Sequence, residues 1–260
     1  MKIRLALSKA GGALVDAARE LEAPILISAN ALRYHKSNSF RFRFPALHGL
    51  DVALDSAGFV AMSTYGAYPW SRKEYLSLVR SHPWSWWAAM DYCVEEEVAP
   101  GRREILRRID RTADSLSICL ALSGRYPEVH PPVPVLQGRT VGDYLLSLRL
   151  QREILPIDPL LVGVGSVCRR PSWQIIQIVD ALDKELDPDT RLHLFWVKGD
   201  SLGRLSRYGE RVASVDSGAW GVSARYEPGP TTNDVKIRHM RSWWEKACRA
   251  TSGSREDTLL

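Results

Sequence analysis

Eight short apolar runs, separated by longer stretches of helical periodicity, recur from end to end of this chain, and that alternation restricts its fold more than any other feature. The runs are Ile3–Leu7, Pro24–Ser28, Asp51–Asp55, Trp87–Asp91, Val133–Gln137, Leu160–Gly165, Leu192–Val197 and Val212–Asp216. They are nearly continuous in apolar character and rich in β-branched or aromatic residues, as strands buried on both faces of a parallel sheet should be. Residues 101–122, 141–155 and 173–186 carry apolar residues on one helical face. Eightfold alternation predicts an α/β fold of the (β/α)8 TIM-barrel type, with an open doubly wound sheet as the structural alternative. The barrel is expected over residues 1–234, followed over 235–260 by a basic amphipathic helix and a frayed polar tail.

One inserted segment departs from the alternation. Residues 33–44 interleave aromatics with Arg33, Lys36, Arg41 and Arg43, and Phe40 to Phe44 has period two. This reads as a hairpin strand with one basic face, either a phosphate-contacting surface or an amphipathic edge strand. The chain's 35 Lys and Arg against 30 Asp and Glu give a charge of +5, which suits a polyanionic partner but also an ordinary basic soluble protein. With 45% apolar and 25% charged residues in 260, disorder as a whole-chain class is excluded. Four cysteines, at 93, 119, 168 and 248, suggest no disulfide framework or Cys-x-x-Cys site, so reduced thiols and a cytoplasmic setting are expected. Residues 1–7 are too short and too charged for a signal-peptide core, and no run of 18 apolar residues exists to cross a membrane.

In a barrel, chemistry gathers where strands end. Here the ends read Asp55-Ser56-Ala57-Gly58-Phe59, then Asp91, Gln137-Gly138, Gly163-Val164-Gly165, and Asp216-Ser217-Gly218. Any one of these is an ordinary Asx turn or helix cap. Together they would bring three aspartates and a glutamine to one mouth, and burying three carboxylates together is costly unless function requires it.

The ordered set resembles the tRNA-guanine transglycosylase (queuine tRNA-ribosyltransferase) superfamily, most closely its deazapurine DNA-modification branch, over residues 51–221. The resemblance implies Asp216 as nucleophile, Asp55 in proton transfer and Phe59 stacking on the base. It also implies Asp91 and Gln137 on the guanine edge, Gly163, Val164 and Gly165 facing the base carbonyl, and Phe195 or Trp196 over the other face. Exchange at the sugar C1′ with retention needs two displacements, which suit a carboxylate nucleophile and a second acid–base carboxyl. The implied activity is a glycosyltransferase replacing guanine in DNA by a 7-deazaguanine, with tRNA as the alternative substrate and a non-catalytic nucleic-acid-binding protein as the rival class.

The departures are informative. The tRNA enzymes carry a zinc site near the C-terminus; here only Cys248 and His239 lie in that region, so neither metal nor cofactor is expected. Arg169 and Arg170 stand where the tRNA enzymes usually have glutamate, which leads to a nitrile-bearing base, 7-cyano-7-deazaguanine, as the expected incoming base and to both arginines as nucleic-acid contacts. Helper subunits that open a duplex would fit the same reading. His193 is expected to be a satisfied interior histidine, Cys93 and Cys168 packing residues, and Trp84, Trp86 and Trp87 mainly core.

Overall fold

A computed structural model of the protein describes residues 1–34, 37, 39–155 and 157–252. In chain order its elements are β1 (Lys2–Leu7), α1 (Ala13–Glu20), β2 (Ile25–Ser28), β3 (Arg33–Tyr34), β4 (Ser39–Phe40), β5 (Val52–Asp55), α2 (Gly58–Tyr65), α3 (Arg72–Val79), β6 (Trp86–Trp87), α4 (Arg102–Ser123), β7 (Val135–Leu136), α5 (Val141–Arg152), β8 (Leu161–Val164), α6 (Ser172–Glu185), β9 (Arg191–Leu194), α7 (Leu202–Leu205), β10 (Val212–Ser217), α8 (Ala219–Ser223) and α9 (Asn233–Ser252). Eight parallel strands form one curled sheet in the order β6-β5-β2-β1-β10-β9-β8-β7, and β3 with β4 makes a separate antiparallel hairpin. First and last sheet strands are neighbours, and every other pair is consecutive within the sheet, which is the cyclic order of a TIM-like fold rather than a doubly wound one.

The expected closed barrel is corrected at one seam. Regular pairing is open between β6 and β7, where a single parallel bridge joins Ala88 to Val133. Two hydrogen bonds hold it, Ala89 N–H to Val133 O and Val133 N–H to Trp87 O, both 2.8 Å. Both strands are shorter than their apolar runs suggest, for local reasons. Pro131, Pro132 and Pro134 remove ladder donors ahead of β7. Beyond β6 the backbone turns to side-chain partners. Tyr75 Oη donates to Ala88 O, and Asp91 N–H donates to Tyr68 Oη. Tyr92 N–H donates to Thr112 Oγ1. The predicted strand from Phe40 to Phe44 is also corrected: only Ser39–Phe40 pairs, while Phe40 and Phe44 turn into the core and Phe42 stays exposed.

The strands alternate as pleated strands must. Ile3, Leu192, Leu194, Val212 and Val215 pack in the core cluster that also holds Ile175, Ile178 and Leu182 of α6. The opposite face of the same strands carries Arg4, His193, Ser214 and Asp216, all buried. The interior is therefore polar where such barrels usually stack aliphatic side chains. Helix α9 closes the far side, burying Met240 and Ala247; no helix among the described residues is long and apolar enough to cross a membrane.

Arg4 organises the end of the sheet away from the strand termini that carry the aspartates. Its Nη1 donates to Ile25 O, Asp51 O and Asp51 Oδ1, the last at 2.7 Å. Burial opposes ionisation of Asp51, but hydrogen bonds from Lys2, Ser85 and Arg4 outweigh it and hold the carboxyl well below the usual range. Arg4→Met should cost about 3 kcal/mol in urea unfolding, the lower end for breaking a buried pair because Asp51 is partly open to water. A loss below about 1 kcal/mol would show that the contacts of Arg4 are not what secures this end.

Candidate active site

The C-terminal ends of the strands enclose a cavity of about 370 Å³, within the usual range for small-molecule sites. Asp55, Phe59, Asp91, Gln137, Phe195 and Trp196 all line it. The turn after β5 sets the first of these. Ala57 adopts left-handed φ of 69°, and its N–H donates to Asp55 Oδ2 at 3.1 Å, which fixes the carboxyl at the start of α2. Gly58 then passes so close to Asp91 that a Cβ there would lie 2.7 Å from its carboxylate oxygens. Asp91 Oδ1 accepts from Ser56 Oγ at 2.6 Å, and Oδ2 accepts from Gln137 Nε2 at 2.5 Å.

Of the glycine-rich stretch, Gly165 alone lines this cavity. Its N–H donates to Leu136 O and its carbonyl accepts from Tyr144 Oη, so the backbone donor expected there is already committed. Gly163 instead makes room for a ring, since a Cβ would lie 2.7 Å from Phe195 Cε2. Val164 is buried and its carbonyl accepts from Phe195 N–H.

Asp216 is fully buried and lies outside the cavity lining. Its Oδ1 accepts from Trp196 N–H at 2.9 Å, and Oδ2 has no hydrogen-bond partner among the described residues. Trp196 is left-handed at φ 54°, a strained conformation for a bulky residue, and its ring rests on Gly218. The indole also lines a second cavity of about 640 Å³, which shares Ser28, Asp55 and Val60 with the first.

His193, expected to be a satisfied interior histidine, is buried, but its Nε2 has no hydrogen-bond partner among the described residues. Its Nε2 sits 3.3 Å from Asp216 Oδ1, and its Nδ1 lies 2.8 Å from Ser214 Oγ. Burial lowers the pKa of this histidine despite the neighbouring carboxylate, which favours the neutral ring. Nε2 faces Asp216 without a hydrogen bond among the described residues, and the direction of the Nδ1–Ser214 hydrogen bond follows the ring's tautomer. The sequence signal for this contact was the period-two match of His193 and Phe195 with Ser214 and Asp216 on adjoining strands, a register the pairing of His193 with Ser214 satisfies.

Burial, reinforced by the Asp91 and Asp216 carboxyls, pushes Asp55 up to about 8, so it holds its proton at neutral pH. Burial likewise raises Asp91 to about 6, opposed by the hydrogen bonds from Ser56 and Gln137, so it is mostly an acceptor at neutral pH. Two carboxyls, one within the field of the other, thus hold opposite protonation states, the arrangement expected of an acid and a base-reading group.

The expected cationic contacts divide. Arg41 is exposed, lines the larger cavity and stacks 5.0 Å from the Tyr34 ring; Arg43 is exposed. Arg33 is buried over the rings of Trp70 and Tyr65 and so is not on the surface the sequence suggested. Lys36 lies outside the described residues. Arg169 pairs with Glu97 at 2.6 Å and lies over Phe59, while Arg170 donates to Ser166 O and Gly138 O as a structural brace. Trp84 and Trp87 are core; Trp86 packs on His193 inside the sheet. His239 pairs with Glu227, and among the described residues no three His, Cys, Asp or Glu are grouped to hold a metal.

The model of the family DpdA, DeoxyPurine in DNA protein A, matches residues 23–257. The chain belongs to the DpdA family. No curated protein matches it. DpdA is a family of deazapurine DNA-modification transglycosylases, which makes the chain, at that coarse level, an enzyme of the glycosyltransferase type.

The Asp55 environment makes a stability prediction. Between its ordinary value of 3.8 and about 8 the folded state binds more protons than the unfolded state, so stability falls as pH rises through that window. Asp55→Asn removes this penalty. Its melting temperature should exceed that of the parent by at least about 3 °C at pH 8.5, with the gap narrowing towards pH 5. Equal melting curves at both pH values would refute the raised pKa.

Proposed function

We propose that this protein exchanges a guanine of DNA for a 7-deazaguanine through an ester between Asp216 and deoxyribose C1′. The observation that carries this reading is a cavity with purine-matching polarity, flanked by a buried, uncommitted carboxylate oxygen and a second carboxyl that is protonated at neutral pH. Membership of DpdA supports DNA as the substrate.

In this cycle the target guanosine leaves its stack and its base enters between Phe59 and Phe195. Asp91 accepts from the N1–H and the 2-amine, and Gln137 donates to O6. The Asp216 carboxylate attacks C1′ as the C1′–N9 bond breaks; the bonding pair goes to the purine, which takes the Asp55 proton. Guanine departs and the deazaguanine enters. Asp55, now ionised, removes the N9 proton, and N9 attacks C1′ and releases Asp216. Trp196, which lines the cavity and holds Asp216 Oδ1 through its N–H, moves when the nucleotide reaches the carboxylate. His193 positions the Asp216 carboxylate through Nε2. Helper subunits that open a duplex fit so enclosed a site, and four free cysteines fit a cytoplasmic setting.

DNA containing one guanine, incubated without incoming base, should yield a covalent adduct on denaturing gels. Asp216→Asn should yield none, and Asp55→Asn should form it roughly 10²–10⁴-fold more slowly. Because the acid must be protonated, the parent rate should decline as pH rises through about 8. His193→Phe should slow adduct formation about tenfold, and His193→Gln, which keeps an N–H, should recover part of it. An adduct with RNA alone would reject DNA as the substrate, and no adduct with either would reject the mechanism.

A further inference from the structure

The larger cavity, of about 640 Å³, has no part in holding the base, yet it meets the smaller one at Ser28, Asp55, Val60 and Trp196. A purine whose N1 edge lies on Asp91 and Gln137 carries its sugar at N9, on the side away from that edge. In the proposed function, on which this inference rests, Asp55 gives its proton to the departing purine. The deoxyribose then comes to the wall that Asp55 shares between the two cavities, and the strand on one side of that sugar continues into the larger one.

The lining of this cavity is of two kinds. Lys9, Arg41 and Arg225 are exposed cations that converge from the turn after β1, the segment after β4 and the residues beyond α8. None of the three has a carboxylate partner among the described residues, whereas Arg169 at the smaller cavity is taken up by Glu97. The one carboxyl among the lining residues is Asp55, which keeps its proton at neutral pH. Leu7, Leu26, Ala31 and Val222 make much of the remaining wall apolar. A free phosphate would use the cations and gain nothing from that wall; a free base would gain from the wall and leave the cations idle. A nucleotide uses both, as in grooves that track a single strand.

We propose that the larger cavity receives the nucleotide next to the target guanine in the same DNA strand, its phosphate on Lys9, Arg41 and Arg225 and its base or sugar against the apolar wall. A neighbour drawn in there has left its own pairing partner. The substrate is therefore a strand unpaired over two successive nucleotides, not a duplex with one base turned out.

Adduct formation on an unpaired oligodeoxynucleotide with one guanine, followed against DNA concentration, tests this. Arg225→Gln and Val222→Asp, both at exposed positions, should raise the concentration for half-maximal rate roughly tenfold and leave the rate at saturation within about twofold. Arg225→Gln should also flatten the dependence of log affinity on log salt by about 0.7, the share of one phosphate. Removing the base on one side of the guanine, 5′ or 3′, should weaken half-saturation roughly five- to hundredfold, and pairing that nucleotide within a hairpin should weaken it too. Unchanged half-saturation and salt dependence in both variants, or indifference to base removal on either side, overturns the proposal while leaving base exchange intact. So does a parent that takes deoxyguanosine 5′-monophosphate as readily as the oligonucleotide. A parent that forms no adduct with any of these overturns the exchange reading, and this proposal with it.

Discussion

Asp55, Asp91 and Asp216 share one end of a curled sheet, and the carboxyls of Asp91 and Asp216 help to keep the Asp55 proton in place. Carboxyls brought together out of water repel unless protons or donors intervene. The protein answers differently at each position. Asp55 keeps its proton, Asp91 is met by Ser56 and Gln137, and Asp216 is met by one backbone N–H and approached by one imidazole. Chemistry of opposite kinds thus becomes available from one residue type, set by surroundings alone.

The same division explains the unusual interior. Arg4, Trp86, His193 and Ser214 occupy space that aliphatic layers fill in simpler barrels. Arg4 lies in register with Asp216 across β1 and β10, yet its guanidinium reaches the opposite end of the sheet, to Asp51 and the carbonyl of Ile25. Outward-facing leucines and valines of the same strands anchor the sheet to its helices, so packing and reactivity lie on opposite faces of one pleat.

Much of this was legible in the sequence because strand ends carry both punctuation and polarity. Asp55, Asp91 and Gln137 were found as residues closing apolar runs, and they do line one cavity. Other features were hidden for specific reasons. A histidine within an apolar strand reads as core until pairing shows that it shares a face with Asp216. Lys9 and Arg225 stand in irregular stretches beyond β1 and α8, where no periodicity assigns a direction. Arg33 was misread because interleaved arginine and aromatics look alike whether the cation lies on a surface or is buried over rings. Three prolines told against a long β7, but the apolar character around them concealed the seam.

The left-handed turn at Trp196 joins two tasks in one peptide unit. The N–H that grips Asp216 Oδ1 belongs to a residue that lines both cavities. A rotation about that φ that swings the ring aside also reorients the neighbouring peptide plane, and relaxes a conformation costing roughly 1–3 kcal/mol. Any change in that turn is consequently felt both at the Asp216 carboxylate and in the wall the two cavities share.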